Sequence, residues 1–367
     1  STLAASAEDL NLKLMRWRLI PQLNTEKLKS TSCLLLGAGT LGCGVARCLI
    51  GWGMKRITFV DNGRVSFSNP VRQSLFEFAD CVTSDGKLGS GGRWKAEAAK
   101  SALMRISPSC EVEGHVVSIP MPGHPVAAAA REDTLKDIEK LDSLVRSHDV
   151  IFLLTDTRES RWLPTVMSAT YDKMLLNVAL GLDSFVIQRS GGRGTASDPS
   201  KKLGCYLCND VVAPDNSTLM RTLDQQCTVA RPGLAPVASA LAVELCVSLL
   251  HHPLEHHAPA DPTPSCPMNG SPSDADKPLG MLPHQLRGFL GTYGIVHPVG
   301  NAFSCCTGCA APVCQAYQEQ GPEFVLKVCD SVKHLEAVSG LDQFHRDAED
   351  IDIDEWDENS DDDEMAI

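Results

Sequence analysis

Residues 31–61 read TSCLLLGAGTLGCGVARCLIGWGMKRITFVD, and this stretch decides the fold. The apolar run Cys33-Leu34-Leu35-Leu36 predicts a buried strand. Gly37, Gly39 and Gly42 follow at GxGxxG spacing, and apolar residues then recur at helical period (Val45, Cys48, Leu49, Trp52). Residues 57–60 predict a second strand, which ends on Asp61. A strand–turn–helix–strand unit of this kind binds a nucleotide. Gly37 and Gly39 permit a tight turn and close approach to phosphate, Gly42 lets the helix pack on the strand, and the helix N-terminus offers unpaired N–H groups to the anion. An acid at the end of the second strand suits a pair of ribose hydroxyls. Taken alone, the turn fits NAD or FAD as readily as ATP.

Outward from this unit, strands and helices alternate. Residues 110–117, 149–154 and 175–178 predict strands, a helix begins at Lys95, and 131–147 predict a charged helix. This alternation implies a doubly wound, mainly parallel α/β sheet of Rossmann type. Ligands of such sheets sit at the C-terminal strand ends, where Gly37–Gly42, Asp61 and Asp156 all fall. Residues 9–29 read as an amphipathic helix and turn, in which Arg16 and Arg18 are surface charges by default. In the second half, 235–250 predict an apolar helix, and 315–339 look helical again. Residues 251–279 are rich in Pro, Ser, Asp and His and read as a flexible surface loop, whose four histidines invite a metal reading that their irregular spacing disfavours.

Composition narrows the classes. The chain has 367 residues, 43% of them hydrophobic, enough for a sizeable core. The net charge is −13, but residues 347–367 hold twelve acids and no Lys or Arg. The body is therefore close to neutral, with no basic stripe for nucleic acid. The longest apolar candidate for a membrane span, 238–250, is interrupted by Glu244. The first residues lack the basic region and apolar core of a secretory signal. They also lack an initiator Met, so a piece of something longer is expected. Fifteen cysteines, an odd number, lie partly in apolar runs (Cys33, Cys48, Cys246), which favours reduced, cytosolic thiols and a metal site over disulfides.

Three further features carry chemistry. Cys205/Cys208 and Cys306/Cys309 form two CxxC pairs with the spacing of a closed, structural zinc site, although Cys305 and Cys314 are near enough to leave the fourth ligand open. Attack of a carboxylate on a triphosphate brings two anions together, so arginine, lysine and magnesium must offset their repulsion. Arg72 and Lys95 follow the glycine turn on adjacent loops, and Asp156 ends a strand as a hard-oxygen ligand should. An NAD oxidoreductase has no need of this set. Cys227 stands apart in DQQCTVARPG, close in sequence to Arg231, where thiolate attack on an activated acyl group is its natural use.

These segments, together with SNPVRQSLFEFAD, SIPMPGHP, LLTDTRESRWLP, GCYLCND, DQQCTVARPGLAPVASALAVEL, PLGMLPHQLRGFL and CCTGC, resemble the autophagy member of the ubiquitin-activating enzymes over nearly all of residues 9–345. The resemblance implies a homodimeric enzyme that uses ATP and magnesium. It implies nucleotide contacts from Gly37, Gly39, Gly42 and Asp61, and phosphate contacts from Asn69, Arg72, Gln73 and Lys95. It places magnesium at Asp156, the thioester at Cys227 and zinc at Cys205, Cys208, Cys306 and Cys309, with Arg18 reaching a partner subunit's site. The loop before Lys95 is longer than the family pattern, so Lys87 is a rival for the phosphate-binding lysine. The implied organisation is a lead-in over 1–30, an adenylation domain over 31–340 with 251–279 inserted, and an acidic tail over 341–367 that docks the modifier. The implied partners are ubiquitin-like autophagy modifiers and their conjugating enzymes, the latter recruited mainly by an N-terminal domain that this chain lacks. The implied place is the cytoplasm, including the site of autophagosome assembly. A sulfur-carrier adenylyltransferase of the molybdopterin or thiamine type shares the sheet, the arginine and the cysteine pairs but not DQQCTVARPG or the acidic tail. A non-catalytic scaffold that only binds the modifier has no use for Arg72, Asp156 and Cys227 together.

Overall fold

Strand β1 (Ser32–Leu36) is apolar from Cys33 to Leu36 because both of its faces are covered there. Cys33 and Leu35 point into a core shared with α3 (Thr40–Gly51), α4 (Lys95–Ile106) and α7 (Leu234–His251). Leu34 and Leu36 point into a second core, shared with α5 (Arg131–Ser147), α6 (Trp162–Thr170), α8 (Ala311–Gln320) and α9 (Pro322–Asp330). Successive side chains alternate between the faces, so one five-residue strand serves both cores. The computed structural model describes residues 7–82, 91–191, 202–217, 229–261 and 276–349.

The remaining strands are β2 (Arg56–Val60), β3 (Glu111–His115), β4 (Val150–Leu153), β5 (Met174–Leu180), β6 (Ser184–Ser190), β7 (Gln285–Phe289) and β8 (Gly294–Val296). They form one eight-stranded sheet in the order β3-β2-β1-β4-β5-β6-β7-β8. β3 to β5 in that order are parallel, as the alternating pattern predicts, and β6, β7 and β8 add antiparallel. The chain leaves β1 towards β2 and β3, then returns to place β4 on β1's other side. That reversal opens a crevice at the strand ends between β1 and β4.

The antiparallel part is what the sequence pattern did not show. β6 ends in Gln188, Arg189 and Ser190, all buried, and β7 carries Arg287 and Gly288. Buried polar residues break the apolar run, and tertiary hydrogen bonds of Gln188 and Arg189 make the strand tolerable. Gly288 has a steric reason: a Cβ there would lie 2.1 Å from the Phe185 ring on β6.

Two boundaries differ from expectation. Residues 251–261 are packed rather than a flexible loop. Arg189, 1% exposed, donates to the carbonyls of Pro283 (3.0 Å), Ala258 (2.8 Å), His256 (3.3 Å) and Leu282 (3.3 Å), which fixes the turn after α7. Residues 262–275 lie outside the described residues. At the other end, residues 341–349 fold as a helix, Leu341–Glu349, rather than starting the tail. Phe344 packs on Phe303 at 5.4 Å between ring centroids, and the His345 Nε2 lies 2.7 Å from the Val211 carbonyl. Residues 350–367, the rest of the expected tail, lie outside the described residues. α7 is long and apolar enough to cross a bilayer by length and composition, but most of it is buried against α3, β5 and β6, and its Glu244 accepts from the Trp52 indole at 2.9 Å.

Candidate active site

Leu36 at the end of β1 pairs with Val60 on β2 and Leu153 on β4. Gly37, Asp61 and Asp156 therefore follow three adjacent strand ends, where the strand order reverses. Gly37 has φ +114°, a conformation that suits glycine, and its N–H donates to the Val60 carbonyl at 2.8 Å. A Cβ at Gly42 would lie 2.1 Å from the Gly37 carbonyl oxygen, so the first turn of α3 closes on the loop only without a side chain. At Gly39 an added Cβ meets nothing within 4 Å. That side of the turn faces open space, as a phosphate cradle must. Asp61 braces the turn before it touches any ligand. One carboxylate oxygen accepts from the Ala38 N–H and the other from the Gly63 N–H, each at 2.7 Å. Each oxygen keeps a second lone pair for a ribose hydroxyl.

Lys95 opens α4, with its N–H on the Gly63 carbonyl at 2.9 Å. Its Cδ and Cε lie 3.6 and 3.7 Å from where a Gly63 Cβ would stand, next to Asp61. Lys95 therefore stands next to Asp61, while its rival Lys87 lies outside the described residues. Asn69 shapes the loop that carries Arg72. Its Oδ1 accepts from Ser66 N (3.0 Å), and its carbonyl accepts from the N–H groups of Arg72 (3.0 Å) and Gln73 (2.8 Å). Arg72 is exposed, with one guanidinium nitrogen on the Ser68 carbonyl at 3.0 Å. Gln73 is 4% exposed, and its Oε1 has no hydrogen-bond partner among the described residues. Asp156 is exposed at its strand end. Arg18 is exposed at the end of helix Leu10–Arg18, its guanidinium 5.3 Å from the Trp17 ring centroid. Cys227 lies outside the described residues.

Two residues of TDTRESRWLP matter more than the pattern alone indicates. Arg161, 3% exposed, donates to the Asn177 side chain, the Val178 carbonyl (3.0 Å) and the Thr155 carbonyl, directly before Asp156. Burial pulls its guanidinium below the ordinary range, opposed by Tyr206 and Asp156. Glu159 is fully buried and accepts from Ser217 N (3.2 Å) and Ser217 Oγ (2.6 Å), fixing the start of the segment that leads to Cys227. The available signal was a dense run of charge immediately after a buried strand. Charge there must be either exposed or met by polar partners inside the fold.

The second constellation is the cysteine cluster. Sγ atoms of Cys205 and Cys306 are 3.5 Å apart, those of Cys208 and Cys309 are 3.4 Å, and those of Cys205 and Cys208 are 3.8 Å. Four sulfurs bound tetrahedrally at about 2.3 Å from a zinc ion stand about 3.8 Å from one another, so the donor set fits. The structure brings Cys306 and Cys309 into this group, not Cys305 or Cys314. Backbone N–H groups of Phe303 and Gly308 point at the Cys208 and Cys306 sulfurs (3.3 and 3.4 Å). Thiols of Cys205, Cys306 and Cys309 hold the Cys208 thiol well below its ordinary range. Hydrogen bonds within the same group hold the Cys205 thiol well above its ordinary range, and burial pushes the isolated Cys43 thiol up to about 12. Every cysteine among the described residues is a free thiol.

His284 holds the backbone leading into both cysteine pairs. It is fully buried, accepts from Gly300 N at Nδ1 (3.1 Å) and contacts the Gly204 carbonyl through Nε2 (2.8 Å). Burial lowers its pKa from 6.5 to about 4. The unfolded chain then binds a proton that the native state refuses, so the contribution is complete above pH 6.5 and is lost as the pH falls towards 4. The loss is on the order of 3 kcal/mol. Urea midpoints should fall more steeply between these pH values for the native sequence than for His284→Gln, and parallel curves would refute the assignment.

A glycine turn at the switch point of a doubly wound sheet, with acids at neighbouring strand ends and a lysine beside it, defines a nucleotide-binding α/β domain. The chain belongs to the ThiF family, whose pattern matches residues 10–264. It is 54% identical over 339 residues to the ubiquitin-like modifier-activating enzyme atg7 of Emericella nidulans, covering 92% of this chain and 49% of that protein. To the ubiquitin-like modifier-activating enzyme ATG7 of Homo sapiens it is 48% identical over 387 residues, covering 98% and 53%. The chain thus spans about half the length of the curated relatives it matches. The solved structure of E. coli MccB with ATP is similar in fold, with a TM-score of 0.51, 17% identity and coverage of 79% of this chain and 70% of that one.

Proposed function

We propose that this chain carries the activating centre of an enzyme for ubiquitin-like autophagy modifiers. The carrying observation is the convergence of the open glycine turn, Asp61, Lys95 and Asp156 on three adjacent strand ends, in a chain about half identical to modifier-activating enzymes. ATP lies with its ribose at Asp61 and its phosphates over Gly37, Gly39 and Gly42. Lys95 and Arg72 reach the phosphates, Asn69 sets the Arg72 loop, and the unpaired Gln73 oxygen offers a further polar contact. Asp156 holds magnesium, which offsets phosphate charge when bound. The modifier's C-terminal glycine carboxylate attacks the α-phosphorus and pyrophosphate leaves, giving the acyl adenylate. The Cys227 thiolate then attacks the acyl carbon and AMP leaves, giving a thioester that passes to a conjugating-enzyme cysteine.

Zinc on Cys205, Cys208, Cys306 and Cys309 is structural, because four thiolates leave no open position. The enzyme works as a homodimer, with Arg18 contributed to the second copy's phosphates, in the cytoplasm and at the site of autophagosome assembly. Residues 31–340 form the adenylation domain, and the acidic end of 341–367 steers a basic modifier surface towards it.

The test is incubation with ATP, magnesium and a purified ubiquitin-like autophagy modifier, followed by non-reducing electrophoresis. The native sequence should give a reductant-sensitive adduct. Cys227→Ser should give a reductant-resistant oxyester, and Cys227→Ala no adduct but intact ATP–pyrophosphate exchange. A reductant-sensitive adduct on Cys227→Ala would move the nucleophile elsewhere.

A further inference from the structure

Away from the strand ends, the turn after α6 meets the turn after α7. Asp172 follows α6, and His256 and His257 lie on the short 3-10 turn Glu255–His257. The His256 Nε2 is 3.4 Å from one Asp172 carboxylate oxygen, and the His257 Nε2 is 3.3 Å from the other. The three ligand atoms lie within 4.8 Å of one another. The two imidazole rings lie close together, 4.0 Å between centroids and 37° apart, so their edges present both Nε2 atoms to the same carboxylate. We propose that Asp172, His256 and His257 form a second metal site, distinct from the cysteine cluster, for a divalent first-row cation such as zinc.

The distances carry the argument. A charge-assisted N–H···O bond between imidazole and carboxylate closes to about 2.7–2.9 Å. Ligands bound about 2.0–2.1 Å from zinc at tetrahedral angles stand about 3.3 Å apart. The two nitrogen–oxygen distances, one to each oxygen of the Asp172 carboxylate, are nearer the second figure than the first.

The support is rigid and strained. Arg189 fixes the carbonyls of His256 and Ala258 from below, and Lys27 holds Glu255 at 2.6 Å, so the histidine turn is positioned before any ion arrives. Asp172 (φ 52°) and Glu255 (φ 48°) are non-glycine residues in the left-handed region, one on each side of the cluster. Strain of this kind persists where surrounding structure imposes it and concentrates at ligand clamps. The Asp172 side chain is 39% accessible and that of His257 27%, which admits water to complete the coordination. A cation here would join two turns 84 residues apart, without touching the nucleotide turn.

The test is zinc chloride alone, added to the chain and dialysed, with zinc counted per chain and melting followed with and without the metal. The native sequence should retain one equivalent more than the double variant His256→Ala/His257→Ala, and zinc should raise its melting temperature by more than it raises the double variant's, in which only the cysteine cluster remains. Asp172→Asn, which keeps the side-chain shape, should weaken that equivalent by about tenfold or more, while far-UV circular dichroism stays unchanged. Loss of the cysteine-bound metal is read separately in Cys309→Ser, so failure of that site leaves the difference between native and double variant intact. Equal zinc content in the native and double-variant chains overturns the proposal, as does an unchanged affinity in Asp172→Asn.

Discussion

Asp156→Ala should reduce ATP–pyrophosphate exchange by about a hundredfold or more. Asp156 is exposed at the end of β4, next to the strand that feeds the glycine turn, where a carboxylate can hold a hard cation against phosphate oxygens. Its position is imposed from below. Buried Arg161 ties the Thr155 carbonyl to the Val178 carbonyl of β5, so the residue that follows Thr155 has little freedom. Because Asp156 is solvent-exposed, its removal should leave stability within about 0.5 kcal/mol, the usual range for surface substitutions. Asp156→Asn keeps the shape but loses the charge and should fall almost as far. Arg72→Ala should show a comparable loss, since it leaves phosphate repulsion unrelieved. Exchange within a few-fold of the native rate in Asp156→Ala would mean that the cation is held elsewhere.

Cys309→Ser should remove one equivalent of zinc and lower stability by several kcal/mol. The four cysteines join segments 101 residues apart, and the group is embedded in the core that contains Trp162, Phe324 and Tyr317. Without a metal, the packed sulfurs have only weak S–H contacts with one another, and the chain ends they tether lose a crosslink. Serine is nearly isosteric, so the effect reads metal binding rather than a cavity. Cys305→Ser, whose sulfur lies outside the cluster, should keep both the zinc and the stability. Equal zinc content in Cys309→Ser and the native chain would remove the metal reading of this cluster.

Local physics made much of this legible in the sequence. Residues 31–61 encode a buried strand, a turn and a helix through periodicities that need no distant partner, and the structure places β1, α3 and β2 there. Helix Arg131–Ser147 likewise carries acids in its first turn and Arg146 in its last, a local match to the helix dipole. The CxxC spacing already named Cys306 with Cys309, and the fold excludes their neighbours Cys305 and Cys314, because adjacent residues differ in which way the backbone turns them. Beyond that local reach were Arg161, Glu159 and Arg189, whose charges are bearable only because particular carbonyls and hydroxyls meet them inside the fold. Composition misread residues 251–261 for the same reason: Pro and His look like loop until Arg189 of β6 arrives to hold their carbonyls. The sequence by itself therefore determined the nucleotide turn, the parallel half of the sheet and the pairing of the CxxC motifs. Only the tertiary structure decided the antiparallel half, the exclusion of Cys305 and Cys314 from the cluster and the meeting of Asp172 with His256 and His257. Local patterns are set by neighbours three or four residues away, whereas a buried charge or a ligand set is set by partners that chain folding alone brings together.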